Sequence, residues 1–502
     1  MDTTRTTAVD PLTYPFKGVM RSHQVRALRE AAGHEGHCYF VDPGGGKTAL
    51  CIAESSQLYV KGLLDGVIIF APNGPHEQWI DQQFPQWCGV PWTGHHNRAG
   101  KRALGEFLKP RRPLPDRPLG VVAVNYEALR TKDGEALLEA FVALYPRYLL
   151  VVDESHKTKS PTADRTKETM RWALRARFRR ILSGTPVLRG LEDLWSQYEI
   201  CSPGLGWPHE PIRLLPKGKV HTYGFMGFKS HYCITRELPS NPRAKIIVGY
   251  RNEDHLRERV APFVTRIKSS EFAVMAEPDV ITVPTPMTVA QAAQYHLMEN
   301  ALIAQIDGGV ITAQNALVQM GKLMQIAAGF LYREDADDEQ GPWQVLGSNK
   351  IDAALELLDQ LDEPVLIWAP YRAQHQMLLI ELNDRVERRL PNARPFFQYQ
   401  GSASVAAWQD TPNGVMFGNQ GSGMGVGLNL QHSAANIYLS NTFSAEARWQ
   451  SIKRTDRMGQ TRQVRIWDLT TPGTVETKVM KALERKEDIS RRNIDDLRSL
   501  LS

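Results

Sequence analysis

The 502-residue sequence is poor in cysteine and contains no long apolar run. Its five cysteines are scattered, which excludes a C-x-x-C zinc motif and argues against a disulfide framework. No apolar run approaches the length of a membrane span, and the N-terminal MDTTRTTAVDPLTYPF lacks the apolar core of a signal peptide. We therefore expect a reduced, soluble, intracellular protein without a membrane partner.

An excess of charge of one sign is also missing. The chain has 60 Lys and Arg against 55 Asp and Glu, a net charge of +5 that permits a nucleic-acid partner without demanding one. Apolar residues make up 42% of the chain, which excludes wholesale disorder. The length allows two to four domains.

Two blocks of short, continuous apolar runs predict two parallel sheets, because strands buried on both faces do not alternate with polar residues. The first block contains HCYFVD (37–42), GVIIFAP (66–72), VVAVNY (121–126), YLLVVDE (148–154) and RRILSG (179–184). The second contains PVLIWAP (364–370), PFFQYQ (395–400), GVMFGN (414–419), NIYLSN (436–441) and VRIWDL (464–469). Helix-compatible stretches separate most of these runs, so we predict two α/β domains.

A glycine-rich loop follows the first apolar run. The segment Pro43-Gly44-Gly45-Gly46-Lys47-Thr48 lies between a predicted strand and a predicted helix, which is the arrangement of a P-loop. Its backbone N–H groups would bind phosphate oxygens, Lys47 would reach the β- and γ-phosphates, and the Thr48 hydroxyl would bind Mg²⁺. The alternative is an ordinary glycine-rich loop that matches the P-loop pattern by chance.

A second apolar run ends in two carboxylates, Asp153 and Glu154. At the carboxyl edge of a parallel sheet they would lie beside the P-loop, with Asp153 holding Mg²⁺ and Glu154 orienting and deprotonating the attacking water. The alternative is an acidic pair that caps the next helix. We expect no metal other than Mg²⁺, since the histidines lack partner cysteines and H-E-x-x-H spacing.

These motifs, with others in the same order, resemble the Swi/Snf-type DNA-dependent ATPases of helicase superfamily two. The resemblance extends from about residue 20 to about residue 470 and rests most on the segment Gln450 to Gln460 (QSIKRTDRMGQ), which is similar to motif VI. It implies two RecA-like lobes of the P-loop NTPase fold with helical protrusions between them, and ATP in the cleft between the lobes. The stretch with Pro262, Phe263, Arg266 and Lys268 is similar to the segment that braces the first lobe.

The resemblance assigns roles to further residues. His23 and Gln24 resemble the adenine-reading motif, while Gly427 and Gln450 resemble nucleotide-binding positions of motifs V and VI. Arg454 and Arg457 resemble the arginines that reach the γ-phosphate, and their spacing of three places both on one face of a predicted helix. The side chains expected near a DNA backbone are Asn73, Gln78, Trp79, Tyr126 and Ser444. For Trp79 and Tyr126, packing in the core is an equal alternative.

The resemblance also implies a domain order. It predicts a first lobe at residues 1–200, protrusions, brace and linker at 201–345, a second lobe at 346–472 and a helical brace at 473–502.

The function expected is ATP-driven translocation on double-stranded DNA, including forks or branched DNA. The alternatives are a strand-separating or annealing DNA or RNA helicase, and an ATP-gated scaffold in a defence or repair complex. The short flanks favour a bacterial or phage protein in the cytoplasm; a eukaryotic one would be nuclear.

Overall fold

The computed structural model describes residues 15–109, 117–184, 186, 190–238, 241–272, 277–308, 313–332, 342–421, 424, 428, 430–457 and 460–484. The chain forms two compact units, Met1–Phe272 and Ala273–Ser502. In these described ranges, no helix is both long enough and apolar enough to cross a membrane.

The first unit contains a parallel sheet of seven strands and two separate antiparallel pairs of strands. Its strands are β1 Gly36–Val41, β2 Gly66–Ala71, β3 Trp92–His96, β4 Leu119–Asn125, β5 Tyr148–Val152, β6 Phe178–Ser183, β7 Arg213–Leu214, β8 Val220–His221, β9 Cys233–Leu238, β10 Asn241–Tyr250 and β11 Val264–Ile267. Its helices are α1 Ser22–Ala31, α2 Lys47–Val60, α3 Pro75–Gln78, α4 Phe84–Trp87, α5 Lys101–Phe107, α6 Lys132–Leu144, α7 Asp164–Ala173, α8 Glu192–Cys201, α9 Gly224–Tyr232 and α10 Glu253–Val260. The sheet order is β11-β1-β6-β5-β2-β4-β3.

The second unit contains a parallel sheet of six strands and one separate antiparallel pair of strands. Its strands are β12 Asp279–Pro284, β13 Phe330–Tyr332, β14 Trp343–Val345, β15 Val365–Trp368, β16 Phe396–Gln398, β17 Val415–Gly418, β18 Ala435–Tyr438 and β19 Arg465–Thr470. Its helices are α11 Val289–Asp307, α12 Ala313–Ala327, α13 Asn349–Gln360, α14 Arg372–Glu387, α15 Ser402–Gln409, α16 Ala445–Thr455 and α17 Val475–Glu484. The sheet order is β12-β19-β18-β15-β17-β16.

The predicted α/β fold with two parallel sheets, one in each unit, is confirmed. Each of the ten apolar runs forms a strand, and β1, β2, β4, β5 and β6 are buried along their whole length. Burial on both faces explains why these runs do not alternate with polar residues.

Three strands of the two large parallel sheets were not predicted from the sequence patterns. Strands β3 and β12 are edge strands that are partly or largely exposed, while β11 alternates between buried and exposed positions. None of them therefore forms a continuous apolar run. The stretch 201–345 supplies β11 to the edge of the first sheet and β12 to the edge of the second. It also supplies α11 and α12, which pack with α17 around Tyr295, Leu323 and Val479.

Candidate nucleotide site

The predicted P-loop connects β1 to the first turn of α2. Gly44 and Gly46 have φ values of 90° and 83°, in the left-handed region that disfavours residues with a Cβ. A Cβ on Gly45 would lie 2.4 Å from Val41 Cγ1, and one on Gly46 would lie 2.2 Å from Gln24 Nε2. Helix α2 begins at Lys47 and has 14 residues. The loop thus places backbone N–H groups at a helix N-terminus, an arrangement suited to binding phosphate.

His23 and Gln24 lie against this loop. The Nε2 atom of His23 is 3.1 Å from the carbonyl oxygen of Gly45, and both side chains are buried. Burial lowers the pKa of His23, although the contact with Gly45 opposes that shift. Gln24 Oε1 accepts a hydrogen bond of 2.9 Å from the backbone N–H of Arg21. The structure thus brings the predicted adenine-reading residues together with the P-loop.

The two carboxylates follow β5, as predicted, and Glu154 contacts the P-loop lysine. Lys47 Nζ lies 3.4 Å from Glu154 Oε1. Asp153 is half-buried, and its loss of solvation together with the charge of Glu154 raises its pKa, while Lys47 opposes the shift. The Oδ1 atom of Asp153 accepts a hydrogen bond of 3.0 Å from the backbone N–H of Glu154.

Glu154 has an unusual backbone conformation that its sequence does not reveal. Its φ and ψ angles are 50° and 53°, in the left-handed region, which costs a non-glycine residue about 1–2 kcal/mol. The turn brings His156 Nδ1 to 3.4 Å from Glu154 Oε2 and 3.3 Å from Ser183 Oγ. Strain of this kind is concentrated at functional sites, because neighbouring contacts must maintain it.

The end of the first unit packs against the P-loop. On β11, Arg266 donates hydrogen bonds of 2.7 Å to Asp42 Oδ1 and 2.9 Å to the carbonyl oxygen of Phe40. The Phe272 ring lies 5.2 Å from the His23 ring. The segment that resembles a brace therefore lies beside β1 as part of the first sheet.

The predicted DNA contacts are spread over different environments. Trp79 and Tyr126 are each only 2% exposed, so of the two alternatives the structure places both side chains in the core of the first unit. Asn73 is exposed, and its Oδ1 accepts a hydrogen bond of 3.3 Å from Asn125 Nδ2. Gln78 is half-buried at the end of α3. Ser444 caps α16, where its hydroxyl accepts a hydrogen bond of 3.2 Å from the N–H of Ala447.

The remaining predicted residues lie in the second unit. Gln450 and Arg454 are on α16 and are largely buried, and Arg454 Nη1 lies 3.5 Å from the carbonyl oxygen of Leu428. Arg457 is half-buried, and burial lowers its pKa. Within the ranges that the structure describes, its guanidinium has no hydrogen-bond or ion-pair partner. Gly427 lies outside the described residues.

One expectation about the arginines is wrong. Helix α16 ends at Thr455, so Arg454 and Arg457 do not share a helical face. At the end of the helix, Lys453 Nζ lies 2.5 Å from Asp456 Oδ2. The backbone of Asp456 leaves the helical region, with φ −80° and ψ 77°. The spacing of three residues between the two arginines did not indicate that the helix ends at Thr455.

Residues 27–205 match the family model for the SNF2-related domain. The chain is 22% identical over 472 residues to the ATP-dependent DNA helicase DDM1 of Arabidopsis thaliana, covering 87% of this chain and 56% of that protein. It is 24% identical over 473 residues to putative protein p41 of Acyrthosiphon pisum secondary endosymbiont phage 1, covering 90% and 92%. It is 22% identical over 513 residues to the DNA repair and recombination protein RAD26 of Saccharomyces cerevisiae, covering 90% and 44%.

Among solved structures, the Sulfolobus solfataricus SWI2/SNF2 ATPase core in complex with dsDNA aligns with a TM-score of 0.40 and 20% identity, covering 97% of this chain and 98% of that one. The chain spans about half the length of DDM1 and RAD26, but most of the phage protein. By these comparisons, residues 27–205 are similar to the SNF2-related domain, and most of the chain is similar to DDM1 and RAD26.

Proposed function

We propose that the chain is a Mg²⁺-dependent ATP hydrolase that double-stranded DNA activates and that moves along the duplex. The observation that carries the hydrolase proposal is the contact of 3.4 Å between Lys47 of the P-loop and Glu154 after β5. It joins a phosphate-binding loop to a carboxylate of the kind that orients an attacking water. The DNA part of the proposal is supported by the homology to SNF2-family ATPases.

The residues beside the loop fit Mg²⁺. Thr48 and Asp153 offer a hydroxyl and a carboxylate, and oxygen ligands of this type are those that Mg²⁺ prefers. Asp153 is a half-buried carboxylate whose pKa is raised by its loss of solvation, so a bound cation would offset the cost of that desolvation. When bound, the ion would neutralise charge on the phosphate oxygens.

The protein side chains would then have separate roles in binding and hydrolysis. On ATP binding, Lys47 would exchange its contact with Glu154 for the phosphates, which leaves Glu154 to accept a proton from the attacking water. His23 and Gln24 would bind the adenine, and Gln450 and the Gly427 position would complete the nucleotide site. Arg454 and Arg457 would stabilise the charge on the transferred phosphoryl group.

The protein would contact DNA through its phosphates, which fix position without reading sequence. Asn73, Gln78 and Ser444 remain the predicted contacts, whereas the burial of Trp79 and Tyr126 favours core packing for those two side chains. Binding through phosphates releases counterions, so stimulation by DNA should fall steeply with salt.

The test is steady-state ATPase without nucleic acid and with single-stranded DNA, duplex DNA, forked DNA or RNA, followed by displacement of a triplex-forming strand. We expect duplex DNA to stimulate most, with triplex displacement and no unwinding of a blunt duplex. Processive unwinding would assign the chain to the strand-separating helicases. Nucleotide binding with negligible turnover on every nucleic acid would favour the ATP-gated scaffold.

A further inference from the structure

Trp79, expected on a DNA track, contacts the carboxylate that would hold Mg²⁺. Its indole Nε1–H donates a hydrogen bond of 3.0 Å to Asp153 Oδ2. The side chain is 2% exposed, so its polar edge is directed inward. Trp79 also begins a π-helical turn, Trp79–Gln83, between α3 and α4. Such turns are rare and occur frequently at functional sites.

Tyr126 contacts the same residue from another loop. Its hydroxyl donates a hydrogen bond of 2.6 Å to the backbone carbonyl oxygen of Asp153. Tyr126 follows β4, Trp79 lies in the connection after β2, and Asp153 follows β5. These three strands are neighbours in the order β5-β2-β4, so three adjacent loops meet at Asp153.

The hydrogen bonds determine how the carboxylate can turn. Oδ1 accepts from the N–H of Glu154 and Oδ2 accepts from Trp79, so rotation about χ2 would break both bonds. Each carboxylate oxygen has two lone-pair directions, so one on each oxygen stays available to a cation. The Tyr126 hydroxyl holds the backbone from which this side chain projects.

We propose that Trp79 and Tyr126 are positioning residues that hold Asp153 in the orientation in which it binds nucleotide-associated Mg²⁺. This inference rests on the proposed ATPase function. Partners that orient a metal-binding carboxylate typically change metal affinity by about 10- to 100-fold when they are removed. Trp79 would therefore act through Asp153, without touching the nucleotide.

The test measures Mg²⁺-dependent nucleotide binding, not turnover. The affinity for N-methylanthraniloyl-ADP is measured in EDTA and over a series of free Mg²⁺ concentrations, for the full chain and for Trp79→Phe. We expect the substitution to raise the Mg²⁺ concentration at half-maximal enhancement by about 10- to 100-fold. The affinity in EDTA should stay within about twofold, since the P-loop is unchanged.

Trp172→Phe is the matched control. Trp172 is also fully buried in the first unit, but its Nε1 has no hydrogen-bond partner among the described residues. The control removes the same indole volume and no hydrogen bond, so it should leave the Mg²⁺ midpoint unchanged. A shift common to both variants would indicate a general loss of packing and overturn the proposal.

Tyr126→Phe keeps the proposal testable if Trp79→Phe does not fold. It removes one oxygen atom, and we expect the Mg²⁺ midpoint to rise by about 3- to 10-fold, as for the loss of a neutral hydrogen bond. Wild-type midpoints in every folded variant at Trp79 and Tyr126 would overturn the proposal while the ATPase function stands. If the wild-type chain does not bind the ADP probe, the proposed function and this inference fail together.

Discussion

Lys47 and Glu154 form an ion pair between the P-loop and the loop after β5, with 3.4 Å between Nζ and Oε1. Their side chains are 12% and 19% exposed, so the pair is largely, but not completely, shielded from solvent. A nucleotide phosphate would compete with Glu154 for the lysine. Binding of ATP would thus release the carboxylate that the proposed hydrolysis needs.

Glu154→Gln should bind ATP and fail to hydrolyse it. The amide keeps the size of the side chain but cannot accept the proton of the attacking water. We expect DNA-stimulated turnover to fall by about 10²- to 10⁴-fold, the usual contribution of a general base. Turnover is measured as phosphate release and binding with N-methylanthraniloyl-ATP. Lys47→Ala is the comparison, because it should weaken binding itself; a Glu154→Gln rate near wild type would exclude Glu154 as the base.

Arg454→Ala and Arg457→Ala should each lower DNA-stimulated turnover by about 10³- to 10⁵-fold, as expected for an arginine that stabilises the transferred phosphoryl group. ATP binding to the first unit should fall only modestly. Arg457→Lys should be nearly as inactive, since an ammonium lacks the planar fork of the guanidinium.

Arg462→Ala is the control for these arginines, because Arg462 is paired with Glu363 at 2.9 Å and its side chain is 42% exposed. The control should keep most of the activity. If both Arg454→Ala and Arg457→Ala keep more than about a tenth of the stimulated rate, well short of the expected loss, the proposal that ATP is hydrolysed by groups from both units is wrong.

Glu54→Gln should destabilise the first unit by about 3–5 kcal/mol, the cost of leaving one member of a buried ion pair without its partner. Glu54 accepts hydrogen bonds from Arg180 Nε at 2.8 Å and from the Tyr39 hydroxyl at 3.0 Å, and all three side chains are buried. The free energy of unfolding from urea titration is the measurement. Asp254→Asn is the control, since Asp254 pairs with Arg257 on the exposed surface; an equal effect of both changes would contradict the prediction.

Acidification should destabilise the first unit, in part through His37. Burial lowers the pKa of this histidine to about 3, and the charges of Arg180 and His34 act in the same direction. Its Nε2 lies 2.9 Å from Thr265 Oγ1, which in turn donates to Glu30. The unfolded chain takes up a proton near pH 6.5 and the folded chain only near pH 3. Stability contributed by the neutral ring is therefore complete above about pH 6.5 and is lost as the pH falls toward 3.

Within that pH window, His37 should contribute a slope of about 1.4 kcal/mol per pH unit to the free energy of unfolding. His37→Gln removes the titrating group and should reduce the pH dependence of the unfolding free energy by this amount between about pH 4 and 6. Urea unfolding of both proteins across that range is the measurement. An unchanged slope in His37→Gln would show that His37 does not remain neutral in the folded protein.

Much of the fold and of the nucleotide site could be predicted because both depend on local patterns. Ten apolar runs became ten strands, and the P-loop glycines lie where a Cβ would collide with Val41 or Gln24. The two carboxylates follow β5, and Glu154 contacts Lys47, because parallel strands present their carboxyl ends at one edge of a sheet. Strands β3, β11 and β12 could not be recognised, since edge or alternating strands carry no continuous apolar run.

The sequence alone determined which chemical groups this protein has and roughly where along the chain they follow a strand or begin a helix. Only the tertiary structure decided which partners those groups meet. The residue types of Trp79 and Tyr126 do not show whether these side chains face DNA or Asp153. Their burial follows from the packing of β5, β2 and β4 side by side. The left-handed turn at Glu154 likewise places its carboxylate against Lys47, which lies 107 residues away along the chain. Such contacts join residues far apart in the chain, and no local spacing records them.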